Sequence, residues 1–156
     1  MLKVAIIMGS TSDYDVMSGA EQILTDFGIE FEKRVISAHR TPDLMFEYTK
    51  GLKSRGFGVV IAGAGGAAHL AGVAAGLTTL PVIAVPMPTK NLGGLDSLLS
   101  MVQMPTGIPV ATVAIGGAKN AAILAAEILA PQDTGGSEKL DGYRKAQAEK
   151  IYNTTI

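Results

Sequence analysis

The sequence predicts one three-layer α/β/α domain on a five-stranded parallel sheet. Three observations lead there. Short β-rich apolar runs fall at residues 4–8, 31–35, 59–62, 82–85 and 110–115, with helical patterns between them. Apolar strands joined by helices imply a parallel sheet covered on both faces, because each crossover lays a helix on the sheet. The length of 156 residues suits a single core, enough to bury about two-thirds of the surface an unfolded chain exposes.

The N-terminus, Met1-Leu2-Lys3 followed by Val4-Ala5-Ile6-Ile7-Met8, is too short for a signal-peptide core and reads as a buried first strand. Val16, Met17, Ala20, Ile23, Leu24 and Phe27 then recur at helical spacing, and Gly28 follows where a left-handed C-cap is expected. After the second strand, Thr41 suits an N-cap and Pro42 the first helical position. Leu44, Met45, Tyr48 and Leu52 form that helix's inner stripe before Gly56 stops it. The apolar stretch 71–87 is interrupted by Gly76, Thr78, Thr79, Pro81 and Pro86, which argues against a membrane span. Residues 131–136 are the one loose segment. A last helix is expected over 137–154, with Leu140, Tyr143, Gln147 and Ile151 as a thin apolar stripe. Residues 1–130 thus form the core of a single domain spanning 1–156, and the terminal helix is expected to pack on a neighbouring subunit.

Composition narrows the function classes. Charged residues make up 17% and apolar residues 47%, too little charge to coat an isolated sphere, so a homo-oligomer is expected. The 13 Lys and Arg nearly balance the 14 Asp and Glu, with no basic run and interleaved aromatics, so the footprint of a nucleic-acid binder is missing. The absence of cysteine removes disulfides, thiolate metal sites and a cysteine nucleophile together. A soluble cytoplasmic protein is expected.

In open parallel sheets, ligands bind at the carboxyl ends of the strands, where flexible loops meet helix N-termini. Three loops there carry chemistry: Gly9-Ser10-Thr11-Ser12-Asp13, Ile36-Ser37-Ala38-His39-Arg40-Thr41-Pro42, and Gly63-Ala64-Gly65-Gly66-Ala67-Ala68-His69. Ser10, Ser12 and Asp13 put hydroxyls, free amides and a helix dipole at one point, which suits a phosphate. A plain cap, with Ser12 at the N-cap and Asp13 in the first turn, accounts for them equally. Gly63, Gly65 and Ala68 match a G-x-G-x-x-A fingerprint, yet no Asp or Glu occurs between Glu47 and Asp96 to hold a ribose, so NAD and FAD are rejected. The same glycines permit close backbone approach to a ligand, or simply tight helix–sheet packing.

The chain's two histidines, His39 and His69, both fall in these loops. An imidazole passes a proton in either direction near neutrality, so each is a candidate acid and base; the alternatives are an exposed turn residue and a helix-terminal hydrogen bonder. Arg40 offers a fork of donors for phosphate or carboxylate, against the alternative of a solvated charge. Two histidines thirty residues apart, with no carboxylate near His69, do not make a metal-ligand spacing. P-loop and G-x-S-x-G patterns are absent.

Four segments taken together carry a resemblance: Met8-Gly9-Ser10-Thr11-Ser12-Asp13; Ser37-Ala38-His39-Arg40-Thr41-Pro42; Ala62-Gly63-Ala64-Gly65-Gly66-Ala67-Ala68-His69-Leu70; and Asp96-Ser97-Leu98-Leu99-Ser100-Met101-Val102-Gln103-Met104-Pro105. In register over nearly the whole chain, they resemble the class I N5-carboxyaminoimidazole ribonucleotide mutases of purine biosynthesis. The resemblance implies a flavodoxin-like domain assembled as an octamer. It implies conversion of N5-carboxyaminoimidazole ribonucleotide to 4-carboxy-aminoimidazole ribonucleotide without metal, nucleotide or redox cofactor.

By matching position, the resemblance implies that Ser10, Asp13 and Arg40 bind the phosphoribosyl part, with Ser12, Ser37 and Ala38 beside it. Gly65, Gly66, Ala67, His69 and Leu70 would enclose the imidazole and its carboxylate. His39 becomes the proton carrier, and the loop 86–94 with segment 96–105 is expected to close the pocket. The chain departs from the family pattern at Ala71-Gly72-Val73, where Pro-Gly-Met is common, and the 116–120 turn looks slightly shortened. Two alternatives remain: direct carboxylation of aminoimidazole ribonucleotide with free carbon dioxide, and a non-catalytic flavodoxin-like module holding flavin mononucleotide or a regulatory nucleotide.

Overall fold

In the computed structural model, which describes residues 2–155, five parallel strands form one sheet in the order β2-β1-β3-β4-β5. The strands are β1 Lys3–Met8, β2 Phe31–Val35, β3 Phe57–Ala64, β4 Val82–Pro86 and β5 Ala111–Thr112. The helices are α1 Tyr14–Phe27, α2 Pro42–Gly51, α3 Leu70–Leu77, α4 Leu95–Val102, α5 Ala118–Leu129 and α6 Gly136–Tyr152. The expected three-layer architecture is present.

Alternation along the strands divides the core. Val4, Ile6 and Met8 of β1, with Val59 and Ile61 of β3, pack against Met17, Ala20 and Leu24 of α1 and the alanine face of α5. Ala5 and Ile7, with Val60 and Ala62, face Met45 and Tyr48 of α2, Leu70, Ala71 and Ala74 of α3, and Met101 of α4. β3 is central and buried along all eight residues, which is what a doubly covered strand requires. Its Gly63 is closely packed: a Cβ there would lie 2.5 Å from Met17 Sδ and 2.8 Å from Met87 Cε, so both methionine side chains would have to shift.

Helix ends follow their expected chemistry at Gly28 and Pro42 but not at Thr41. Gly28 takes φ +71° and its N–H reaches the carbonyls of Leu24 and Thr25, a left-handed cap. Pro42 opens α2, but Thr41 makes no side-chain cap. Its hydroxyl turns back to Ser37, donating to the carbonyl at 2.9 Å and accepting from the amide at 3.1 Å. A hydroxyl engaged behind the helix is not available to the helix amides.

Two strands differ from expectation. β2, Phe31-Glu32-Lys33-Arg34-Val35, is a sheet edge whose last three residues are exposed, and charge on an edge protects it from pairing with another chain. The ladder of β5 covers two residues where six were expected, although Val113 N–H still reaches Ala84 O at 3.1 Å. α6 buries Leu140 and packs Tyr143 on Phe27, ring centroids 5.5 Å apart, while Ile151 and Tyr152 stay 75% and 85% exposed. The terminal helix therefore packs on its own chain at its start, and its last turn is left uncovered by that chain.

Candidate active site

The chain crosses from one side of β1 to the other between β2 and β3, so the loops after β1 and β3 diverge at the carboxyl edge and leave a crevice. A cleft of about 360 Å³ lies there, lined by the loops after β1, β2, β3 and β4.

The loop after β1 is a turn that caps itself. Asp13 Oδ2 accepts the Ser10 amide at 3.0 Å, and Ser10 Oγ accepts the Ser12 amide at 3.3 Å and the Ser12 hydroxyl at 3.0 Å. Ser10, and not Ser12, is thus the N-cap, in a reciprocal capping box with Asp13. Gly9 N–H donates to Gly63 O at 3.0 Å, which ties this loop to β3. Burial pushes the Asp13 carboxyl above the usual carboxylate range, opposed by the amides of Ser10 and Gly9.

The loop after β2 is held by its own residues. Ser37 Oγ accepts the Arg40 amide at 3.1 Å and Ser37 O accepts the Thr41 amide at 2.8 Å. This turn leaves the Ala38 side chain half-buried and sets His39 and Arg40 exposed on the cleft wall.

The loop after β3 supplies Ala64, Gly65, Ala67, His69 and Leu70 to the cleft. Gly66 does not line it. Its backbone sits at φ +71° and hydrogen-bonds Ser97 and Ser100 of α4. Met87 and Pro88, after β4, complete the wall.

The histidines, thirty residues apart in sequence, meet in space. His39 Nε2 lies 2.9 Å from His69 Nδ1, and the rings stand edge to face at 5.0 Å between centroids. One hydrogen is held between those two nitrogens, so at most one ring is imidazolium while the bond exists. The pair is therefore a place to store or hand over a single proton. Among the described residues no group of three or more His, Cys, Asp or Glu side chains gathers as a metal site.

The model of a family described as AIR carboxylase matches residues 3–150. The chain belongs to the AIR carboxylase family. Curated relatives include the N5-carboxyaminoimidazole ribonucleotide mutase of Saccharolobus solfataricus, 56% identical over 100% of this chain and 99% of that protein. The mutase of Bacillus subtilis is 54% identical over 97% of this chain and 95% of its own length. Among solved structures, Treponema denticola PurE superposes with a TM-score of 0.87 at 32% identity, covering 97% of this chain and 95% of that one.

Most site residues expected from the sequence converge on the cleft: Ser10, Ser12, Asp13, Ser37, Ala38, His39, Arg40, Gly65, Ala67, His69 and Leu70. Gly9, Ala64, Met87 and Pro88 also line it. They lie within the two glycine-bearing loops and the 86–94 segment that the sequence points to, although it does not single them out as site residues. At the departure from the family pattern, Ala71 is buried in the core and Val73 is exposed on α3, and neither lines the cleft.

Proposed function

We propose that this chain converts N5-carboxyaminoimidazole ribonucleotide to 4-carboxy-5-aminoimidazole ribonucleotide in purine biosynthesis, with His39 as the proton carrier. The observation that carries the role is His39 on the cleft wall, its Nε2 2.9 Å from the only other imidazole of the chain. Arg40 lies beside it and the self-capped 10–13 turn also lines the cleft, so donors and a helix start suit the phosphoribosyl group.

In this reading, imidazolium His39 gives its proton to N5 of the carbamate. The N5–carboxylate bond breaks, its electron pair stays on nitrogen, and carbon dioxide is freed inside the pocket. Carbon 4 attacks that carbon dioxide, forming the new carbon–carbon bond, and neutral His39 removes the proton left on carbon 4. The residue ends as it began. Each half needs the opposite protonation state, which suits an imidazole, and the freed carbon dioxide demands a closed site. Asp13, Ser10, Ser12 and Ser37 hold the sugar and phosphate, and the 65–70 loop holds the imidazole and carboxylate.

We also propose a cytoplasmic homo-octamer. Leu92, just before α4, and Leu95, Leu99 and Val102 along it are 61%, 52%, 48% and 45% exposed, an apolar row that a neighbouring subunit would cover. The exposed end of α6 would pack there or on another subunit. Sedimentation of the purified protein at an octamer mass supports this; a monomer contradicts it. No helix among the described residues is long and apolar enough to cross a membrane.

Direct carboxylation is separated by experiment. Rates with the carbamate are compared with rates for aminoimidazole ribonucleotide plus bicarbonate, and the mutase reading requires the carbamate to be the better substrate. A flavin module is disfavoured because no Phe or Tyr lines the cleft, where a flavin would want a stacking partner. A flavin absorbance in the purified protein would reverse that.

A further inference from the structure

Ser97 of α4 is fully buried beneath the cleft and is one of only two buried polar residues among those described. Its hydroxyl donates to Met87 O at 2.8 Å and accepts the Gly66 amide at 3.0 Å. One side chain therefore spans the loop after β4 and the loop after β3, using its proton and a lone pair together. Ser100, one turn on, shares its hydroxyl proton between Asp96 O at 2.7 Å and Gly66 O at 3.2 Å. Both ends of the Gly66 residue are thus held by α4.

From Gly66 the restraint runs forward. Gly66 O accepts the Ala68 amide at 2.8 Å, Ala67 O accepts the His69 amide at 2.9 Å, and the His69 ring meets His39. On the other side, Thr89 Oγ1 donates to Asp96 Oδ1 at 2.6 Å and accepts the Gly94 amide at 3.0 Å, pinning the 89–94 segment to the first turn of α4. The fit is tight: a Cβ on Gly65 would lie 3.2 Å from Met87 Cβ.

We propose that Ser97 is a positioning residue for the carboxylate migration: by joining Gly66 to Met87 it holds the 65–69 loop against the 87–88 wall, places His69 against His39, and seals the pocket around freed carbon dioxide. This rests on the mutase reading. Ser97 touches no reacting atom. Without it, Gly66 loses a partner, the two walls part, and carbon dioxide escapes before carbon 4 captures it.

The test measures, for the full-length wild-type protein, Ser97→Ala and Ser100→Ala, the steady-state kcat and KM with the carbamate. It also measures the share of turnovers that release aminoimidazole ribonucleotide in place of the carboxylated product. Ser97→Ala is expected to lower kcat by roughly ten- to a hundredfold, change KM less, and raise the released share severalfold. Ser100→Ala is expected to do the same more weakly. A folded Ser97→Ala protein with wild-type kcat and wild-type release overturns the proposal. A fall in stability with unchanged release overturns it too, since a purely structural serine gives that result. If Ser97→Ala does not fold, Ser100→Ala decides, and wild-type release in that variant overturns the proposal. A wild-type protein that makes no carboxylated product from the carbamate defeats the mutase reading itself, and that arm stands apart from the variants.

Discussion

The two histidine loops are built in opposite ways. The loop carrying His39 is fastened by its own residues: Ser37, Arg40 and Thr41 exchange hydrogen bonds no more than four positions apart. The loop carrying His69 is mostly glycine and alanine, and its side-chain fastening comes from Ser97 and Ser100, 31 and 34 positions away from Gly66. A loop that carries its own ties is set as soon as its strand and helix are placed. A loop without them takes its shape from a distant helix, so a change in α4 is transmitted to it. His39, the proposed proton carrier, sits on the first kind, and His69 on the second.

The sharpest way to break this division is at the histidines. His39→Asn is expected to lower kcat by roughly 10²- to 10⁴-fold, as loss of a general acid and base does; wild-type turnover in a stopped assay refutes the role. Arg40→Ala should weaken nucleotide binding by about 2–4 kcal/mol if it pairs with phosphate in a dry site, read by calorimetry, and unchanged affinity removes that contact. His69→Asn should cost less than His39→Asn, about tenfold in kcat, because it removes a hydrogen bond of roughly 1.5 kcal/mol to the carrier and not the carrier itself. Equal losses would mean that the two rings act as one group.

Smaller effects sharpen the local side. Ser37→Ala should cost about 1 kcal/mol of stability, measured by denaturant unfolding, because the exposed Arg40 amide recovers its bond from water. The loop should keep its shape. For Asp13 the sign follows from burial: the native carboxyl holds its proton to higher pH than the unfolded chain does, so the native state binds more protons just above pH 3.8. Stability is therefore lost as pH rises from 3.8 through the raised native value and is level above it. Asp13→Asn keeps an acceptor for the Ser10 amide and should abolish that slope, which melting curves across acid pH will check.

The same division governs what was legible in the sequence. Strand runs and the α1 and α2 stripes are local patterns, and the structure places Met17, Leu24, Met45 and Tyr48 in the core on the two faces they imply. The residue types at 10–13 and 37–40 signal a site because turn residues, a histidine and an arginine are chemically distinctive. β2 departs from the apolar pattern because an edge strand needs little burial. The Thr41 hydroxyl departs from a cap because a helix cap and a turn bond to Ser37 compete for the same atom. The meeting of His39 with His69 depends on β2 and β3 both lying beside β1, and the Ser97 bridge on β3 lying beside β4, which no local pattern encodes.

The central claim, migration of the carboxylate within one closed pocket through His39, is tested most directly by a label. The substrate carbamate carrying a ¹³C carboxylate is turned over in excess unlabelled bicarbonate, and the product is read by mass spectrometry. Product that keeps the ¹³C with the wild-type protein, and no product at a comparable rate with His39→Asn, is the predicted result. Product carrying the unlabelled carboxylate would contradict it, because carbon dioxide would then have passed through solvent.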